Sequence, residues 1–229
     1  MIDKLTGGTY DAVALGKELS DAAVGGHIRL WSRADAEEGV FVRTGLGGGP
    51  ASATPDRTFH LAVENRTSTK LDYYVKPSVR QEVELTRQGT AVVRTTVVVD
   101  NQAPVGAPPS FALGPDGVSQ SGPGDYVAWL LLWGPAGSMQ AGAVDESGLQ
   151  LSQHVVDVPP GQRRELTYET VIPRAVKDGR LNLRLVPQSR FEPVDLQVEV
   201  KAPGWDLEGP PTWEGPWNRT LTLSWGVSR

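Results

Sequence analysis

The stretch Val194-Asp195-Leu196-Gln197-Val198-Glu199-Val200 decides the fold class of this chain. Apolar and polar residues alternate along it, so successive side chains of an extended strand point to opposite faces. This alternation is typical of a strand that turns one face to a core and the other to water. The same period of two occurs in three other stretches, which are residues 79–85, 181–185 and 221–225.

Two further stretches are apolar almost throughout, residues 92–99 and 126–133, and they predict central strands. Trp129 and Trp133 lie in the second of them and are predicted core residues. Turn-forming pairs such as Asp178-Gly179 separate the predicted strands. About ten short strands result, and that number favours a sandwich. We therefore predict a mainly β fold, an Ig-like antiparallel β-sandwich with one or two short N-terminal helices packed on it.

The N-terminal region has a helical rather than an alternating pattern. Apolar residues recur at helical spacing over residues 9–25, which predicts a first helix with Thr9 as its N-cap. A second helix is predicted to begin at Ser32 and to end near Gly45. Both helices precede every predicted strand.

The domain organisation follows from this change of period. Residues 47–57 contain three glycines and two prolines, a composition typical of a linker or loop. We predict a helical segment with its linker over residues 1–57, as the end of an upstream region, and a β-sandwich domain over residues 58–229. Within the β domain, the Pro-, Gly- and Ser-rich residues 102–124 predict a long surface loop.

Composition excludes several classes of function. The 229 residues carry a net charge of −5 without a basic run, which argues against binding to nucleic acid or to an anionic membrane surface. Cysteine is absent, so disulfides and thiolate chemistry are excluded. The longest apolar run has 8 residues, too few to cross a bilayer, and no signal peptide precedes it. Two alternatives remain open, a cytosolic protein or part of a longer exported one.

Six short blocks of sequence occur in a fixed order along the chain. Each block is too short to identify a family by itself, so any resemblance depends mainly on their occurrence together in this order. The blocks are His27-Ile28-Arg29-Leu30-Trp31-Ser32-Arg33, Glu37-Glu38, Lys70-Leu71-Asp72-Tyr73-Tyr74, Ser78-Val79-Arg80, Val97-Val98-Val99-Asp100-Asn101-Gln102-Ala103-Pro104 and Val158-Pro159-Pro160-Gly161.

This order resembles the C-terminal part of an actinobacterial envelope family known only as domain of unknown function 4012. The resemblance covers about residues 10–205 and departs from the family at Gly39-Val40-Phe41, where members have a longer helical stretch. It implies an extracytoplasmic domain whose parent protein has a membrane anchor and is encoded near genes for surface polysaccharide synthesis. The family has no established catalytic residues, so the resemblance implies none here.

Tyr73 and Tyr74 are the first candidate ligand-binding residues. Adjacent side chains in a strand point to opposite faces, so one ring is expected in the core and the other at the surface. The functional hypothesis is a platform on which a sugar ring stacks. The alternative is a packing role where the helical segment meets the sandwich, because aromatic side chains usually act through burial.

Trp205, Trp213 and Trp217 are the second set of candidates. They lie in a Pro- and Gly-rich segment without periodicity, next to carboxylates. Exposed aromatic rings beside carboxylates are typical of carbohydrate-binding surfaces. The alternative is a C-terminal loop that folds over the edge of the sandwich and is fixed there by its aromatic rings.

Candidate catalytic and metal-ligating residues are scattered. Asp145-Glu146 lies in a predicted turn, and Glu165 and Glu169 are expected to face solvent, so neither pair indicates a glycosidase. The histidines have no ligand spacing, so we predict neither a metal site nor a cofactor.

Three hypotheses about function follow from the sequence and the resemblance. The first is a non-enzymatic extracytoplasmic domain of a cell-envelope protein that binds or scaffolds surface polysaccharide or its assembly proteins. The second is an enzyme domain that acts on surface glycans. The third is a structural spacer that holds another domain away from the membrane.

Overall fold

The protein is mainly β, with two sheets in a sandwich-like arrangement and two short helices before them. This confirms the predicted mainly β sandwich with short N-terminal helices, while the finer Ig-like assignment and the packing of the helices on the sandwich stay predictions. The chain divides into two compact units, one that extends to Gly49 and one that starts at Pro50. The computed structural model describes residues 11–47, 54–115, 121–138, 144–146 and 148–229.

The first helix, α1, spans Ala12–Val24. Asp11 is its N-cap, since Oδ1 accepts the backbone N–H groups of Val13 at 2.9 Å and Ala14 at 3.1 Å. A carboxylate at this position satisfies two of the free N–H groups of the first turn. The predicted N-cap, Thr9, lies outside the described residues.

The second helix, α2, spans Asp35–Thr44 and therefore begins later than the predicted Ser32. Ser32 lies before the helix and is bonded to its first turns: its backbone N–H donates to Glu38 Oε2 at 2.8 Å, and its Oγ accepts the Ala34 N–H at 3.1 Å. The helix ends as predicted at Gly45, whose φ of 80° is the left-handed conformation that favours glycine. No helix among the described residues is long and apolar enough to span a membrane.

The β unit contains more strands than the alternation of the sequence predicts. The additional strands are short, with three residues in β5, two in β8 and three in β11, so a period of two is not visible in them. The strands are β1 (Thr58–Asn65), β2 (Val75–Leu85), β3 (Ala91–Asn101), β4 (Tyr126–Pro135), β5 (Val144–Glu146), β6 (Leu149–Val158), β7 (Arg163–Ile172), β8 (Val176–Lys177), β9 (Arg180–Val186), β10 (Val194–Lys201), β11 (Asp206–Glu208), β12 (Thr212–Trp217) and β13 (Leu221–Ser228).

The two sheets are mixed rather than purely antiparallel. The larger sheet has the order β11-β13-β9-β1-β4-β6-β5, with β8 paired to β9, and the smaller has the order β12-β10-β2-β3-β7. Most pairs are antiparallel, but β1 pairs with β9 and β2 pairs with β10 in parallel. The expectation of antiparallel pairing is wrong for these two pairs, because alternation of side chains is the same in both kinds of strand.

One core fills the space between the sheets, and the alternating patterns predict its faces well. Along β2 and β10, inward residues such as Val79, Val83 and Val198 are buried while the intervening polar residues reach the surface. Leu71 and Leu113 enter the same core from loops. The period of two therefore identified the buried face of these strands correctly.

The two tryptophans of β4 do not lie in this core. Trp129 is 36% exposed on the outer face of the larger sheet, where the Arg66 guanidinium carbon lies 5.0 Å from the centre of its ring. Trp133 is buried, but in a small separate cluster with Leu131 and Leu149. The predicted core position is thus wrong for Trp129, because an apolar run does not show which face of its strand is the inner one.

The predicted long loop connects β3 to β4, and Asn101 fixes both of its ends. This fully buried side chain donates from Nδ2 to the carbonyl oxygens of Gly124 and Val158, each at 2.7 Å. Its Oδ1 accepts the backbone N–H of Ala103 at 3.0 Å. One amide therefore bonds three backbone groups, two near the ends of this loop and one at the end of β6.

Tyr168 of β7 points its hydroxyl into the core. That hydroxyl is buried and has no hydrogen-bond partner among the described residues. Burial raises the pKa of Tyr168 to about 12. The ring lies edge-on to His154, with 5.4 Å between the two ring centres. The aromatic ring is well packed, while the hydroxyl costs free energy.

We expect Tyr168→Phe to raise the free energy of unfolding at pH 7 by about 1 kcal/mol, because it removes a buried hydroxyl without a partner and keeps the ring. The folded pKa lies above the unfolded value, so the wild type keeps its stability below about pH 10 and loses it as the pH rises through about 12. Urea unfolding of both proteins at pH 7 and pH 11 measures the effect, and the gap should widen at pH 11. A variant less stable than the wild type at pH 7 would refute this prediction.

Candidate functional site

A cleft of about 770 Å³ opens beside the end of β1. One wall is the chain that follows β1, up to a single 3₁₀ turn at Leu71–Tyr73, and the other wall is the loop between β9 and β10. The parallel pairing of β1 with β9 places these two loops side by side, although they are far apart in the sequence. We refer to this site as the aromatic cleft.

Asn65 organises the first wall of the aromatic cleft. Its Oδ1 accepts both the backbone N–H and the hydroxyl of Thr67, at 2.9 and 2.6 Å. Its Nδ2 donates to Asp72 Oδ2 at 3.1 Å, so the amide ties the end of β1 to the 3₁₀ turn. Leu71, which is fully buried, anchors the same turn in the core. This wall is therefore held in one conformation by bonds at both ends.

Asp72 contacts three polar side chains in the aromatic cleft, those of Asn65, Tyr126 and Arg190. The hydroxyl of Tyr126, which is buried on β4, donates to Asp72 Oδ1 at 2.9 Å. Burial and the neighbouring Asp72 carboxylate raise the pKa of Tyr126 well above its usual range, so it remains a donor at neutral pH. Arg190 Nη2 approaches the same oxygen at 3.8 Å from the opposite wall.

Arg190 joins the two walls of the aromatic cleft. Its side chain is only 7% exposed, and Nη1 donates to the carbonyl oxygen of Val63 at 3.2 Å. Gln188 makes two hydrogen bonds to Val63. Its Oε1 accepts the Val63 N–H at 2.9 Å, and its Nε2 donates to the Val63 carbonyl oxygen at 3.3 Å. The amide of Gln188 thus takes the place of a strand residue beside β1, and the cleft has a rigid polar base.

Two exposed aromatic rings form the rim of the aromatic cleft. Tyr73 is 63% exposed and Phe191 is 80% exposed, and their ring centres lie 5.5 Å apart in an edge-to-face arrangement. The two rings come from opposite walls. Glu64 and Glu192 are exposed nearby and line the same cleft. The rim therefore offers apolar ring surface next to carboxylate acceptors.

The two candidate tyrosines have different environments, as expected. The reason differs from the expected one, because they lie at the end of a 3₁₀ turn and not in a strand. Tyr73 ends the 3₁₀ turn and Tyr74 is its C-terminal cap, with its N–H bonded to the Leu71 carbonyl at 2.8 Å. Tyr74 is half-buried and packs against the core. Of the pair, Tyr73 lines the aromatic cleft.

The tryptophan-rich segment is ordered into strands, contrary to the predicted aperiodic loop. Trp217, at the end of β12, is only 2% exposed, so neither face of its ring is available to a ligand. Trp213 on the same strand packs against the core and is half-buried. Trp205 is half-buried as well, and its Nε1 donates to the Thr86 carbonyl at 2.9 Å. These positions favour the alternative hypothesis, in which the rings fix the segment to the sandwich.

The other candidate residues do not assemble into a reactive site in the described part of the chain. Glu165 and Glu169 are exposed on β7, as predicted. The side chains of Asp145-Glu146 lie outside the described residues. No group of three or more His, Asp or Glu side chains that could hold a metal ion occurs among the described residues.

No model of a protein family and no curated protein matches this chain. The resemblance to the actinobacterial envelope family therefore stays a prediction. The geometry of the aromatic cleft is independent of that resemblance.

Sequence reasoning identified one ring of the aromatic cleft and missed the opposite wall. Gln188, Arg190 and Phe191 lie in a short segment without motif or periodicity, and Gln188 meets its partner Val63 across 125 residues. The available signal was weak, a single aromatic residue, Phe191, between two predicted strands. Only the pairing of β1 with β9 shows that it faces Tyr73.

Proposed function

We propose that this chain is a non-enzymatic extracytoplasmic part of a cell-envelope protein and that its β unit binds surface polysaccharide in the aromatic cleft. The observation that carries the proposal is the pair of exposed rings, Tyr73 and Phe191, that rise from opposite walls of one cleft. Exposed large aromatic side chains are costly to hydrate, so two of them converging on a rigid polar base favour a ligand-binding role.

The chemistry of the cleft matches that of a sugar chain. The C–H faces of a pyranose ring are apolar and stack on aromatic rings, while its hydroxyl groups donate to carboxylates such as Glu64 and Glu192. A volume of about 770 Å³ is in the range of sites for small ligands, which suits a few sugar units of a longer chain.

The rigid base of the cleft adds to this proposal. Asp72 is bonded to Tyr126 and to Asn65, so it need not reorganise when a ligand arrives. A site that is ordered before binding loses less conformational entropy when it binds. The envelope location rests on the resemblance in the sequence, and envelope proteins of polysaccharide assembly are the alternative partner for the same surface.

We expect Tyr73→Ala and Phe191→Ala each to weaken binding of a purified surface polysaccharide by about fivefold to tenfold, which corresponds to about 1–1.4 kcal/mol for one ring contact. Tyr73→Phe keeps the ring and should retain most of the affinity. Isothermal titration of the whole chain with the polysaccharide measures these changes, and thermal melting tests whether the variants stay folded. Both rings are exposed, so the melting temperatures should be unchanged.

Trp31→Ala is the matched control, because it removes an exposed aromatic ring from the N-terminal unit. Its affinity for the polysaccharide should equal that of the wild type. The proposal would be wrong if the wild type did not bind, or if Trp31→Ala weakened binding as much as Tyr73→Ala.

A further inference from the structure

A second cleft, of about 500 Å³, lies at the other end of β1. A 3₁₀ turn at Pro55–Arg57 leads into the first residue of β1, whereas the aromatic cleft is beside its last residues. Strand β1 has 8 residues, and a strand rises by about 3.3 Å per residue, so the two clefts are separated by about 25 Å. We refer to the second site as the basic cleft.

Three cationic side chains line the basic cleft, against one carboxylate. Arg57, Arg174 and Lys177 all line it, and Asp56 is the one carboxylate among its described lining residues. The whole chain, in contrast, has a net charge of −5. Three cations around one concave surface therefore form a local positive field in an acidic protein, and such a field attracts anions.

Asp56 holds two of these cations next to each other. Lys177 Nζ donates to Asp56 Oδ2, and Arg57 Nε lies 3.4 Å from Asp56 Oδ1. The hydrogen bond from Lys177 lowers the pKa of Asp56, so the carboxylate is ionised at neutral pH. An ammonium group has three donors and a guanidinium has five, so both cations keep donors for a further anion.

Arg174 occupies a backbone position that normally favours another residue. Its φ is 52°, in the left-handed region, and it directly follows Pro173 in a turn. A proline followed by a residue of positive φ is the pattern of a type II turn, in which Gly or Asn is favoured at the second position. Arginine there costs backbone energy, and such strain is often found at functional sites.

The Arg174 guanidinium is also the one cation of the basic cleft without a carboxylate partner in the described part of the chain. The exposed Arg174 guanidinium, at a strained backbone position, lies in one cleft with two further cations, and this arrangement favours an anionic ligand. A guanidinium presents parallel N–H donors that match the two oxygens of a carboxylate or phosphate.

We propose that the basic cleft binds an anionic group, a phosphate or a carboxylate, with Arg174 as the principal donor and Arg57 and Lys177 as supporting donors. The apolar residues Ile172 and Pro173 line the same cleft and provide contact surface for the carbon skeleton that carries the anion. The cleft volume of about 500 Å³ is in the range of sites for small ligands. This site is separate from the aromatic cleft, so its test does not depend on polysaccharide binding there.

The test is titration of the whole chain with inorganic phosphate, and separately with glucuronate, at low ionic strength. Arg174→Gln keeps a polar side chain but shortens it and removes the guanidinium with its charge, and it should weaken binding by about fivefold or more. Arg163→Gln is the matched control, because it also removes one exposed arginine. Arg163 begins β7, whereas Arg174 follows the last residue of that strand, so the two arginines lie far apart. Stronger binding of phosphate or of glucuronate would identify the favoured class of anion.

A second variant gains affinity, so loss of folding cannot mimic it. Asp56→Asn frees Lys177 and Arg57 from their carboxylate and should tighten anion binding by about threefold or more. Asp195→Asn, which removes an exposed carboxylate on β10, is its control and should leave the affinity unchanged. The proposal is overturned if the wild type binds neither anion, or if either control changes affinity as much as its partner variant.

Discussion

Trp217→Ala is expected to lower the free energy of unfolding of the β unit by about 3–5 kcal/mol. Trp217 is among the largest fully buried side chains of the protein, and it belongs to the core cluster that both sheets enclose. Its replacement by alanine leaves a cavity that the surrounding strands can only partly fill, and the transfer free energy of the ring is lost as well. A loss of this size is a large part of the stability of an ordinary domain.

Urea unfolding followed by circular dichroism measures this loss, with Trp31→Ala as the control. Trp31 is exposed, so its replacement should change the free energy of unfolding by less than about 0.5 kcal/mol. The experiment also separates the two hypotheses for the tryptophan-rich segment. A Trp217→Ala protein with unchanged stability and lost affinity for polysaccharide would show that Trp217 is a ligand-binding residue, against its buried position.

Asn101→Asp is expected to lower the free energy of unfolding at pH 7 by about 3–5 kcal/mol, although it changes one NH₂ group to oxygen. In the wild type, Nδ2 of Asn101 donates to the carbonyl oxygens of Gly124 and Val158. A carboxylate has no donor, so it would remove the Nδ2 bond to each carbonyl and place a buried negative charge against both carbonyl oxygens.

The effect of Asn101→Asp should depend on pH in a defined direction. Burial would raise the pKa of the new carboxyl above the unfolded value of about 3.9. The free energy of unfolding of the variant therefore falls as the pH rises from the unfolded pKa through the folded one. The gap to the wild type should therefore be smaller at pH 4 than at pH 7. Unfolding of Asn218→Asp, an exposed site, provides the control and should match the wild type at both values. A gap that stays constant with pH would contradict the buried-charge explanation.

The candidate binding site was only partly predictable from the sequence. Tyr73 was identified because two adjacent tyrosines are unusual, but its role depends on Phe191, which reaches it from the loop between β9 and β10. The tryptophan-rich segment was the more prominent pattern, and yet Trp217 is buried and Trp205 is bonded to Thr86. A group of aromatic residues in a sequence shows apolar surface, but whether a ring faces a core or a ligand depends on what packs against it.

The basic cleft was not predicted at all. Arg57, Arg174 and Lys177 are ordinary cations in the sequence, each surrounded by residues of other kinds, and no basic run connects them. They meet because β1 begins beside β9, with the turns before β8 and β9 folded against that end of the sheet. A positive φ at Arg174 is likewise a property of the folded backbone, since arginine itself has no preference for it.

The sequence by itself determined that this protein is mainly β, where most of its strands lie and which face of β2 and β10 is buried. These properties depend on the alternation of side chains along one strand, which is a local rule of the extended backbone. The tertiary structure alone decided the parallel pairing of β1 with β9 and of β2 with β10, the outward position of Trp129, the burial of Trp217 and the assembly of both clefts. Each of these depends on contacts between residues far apart in the chain, and a local pattern is the same whichever partner its strand finds.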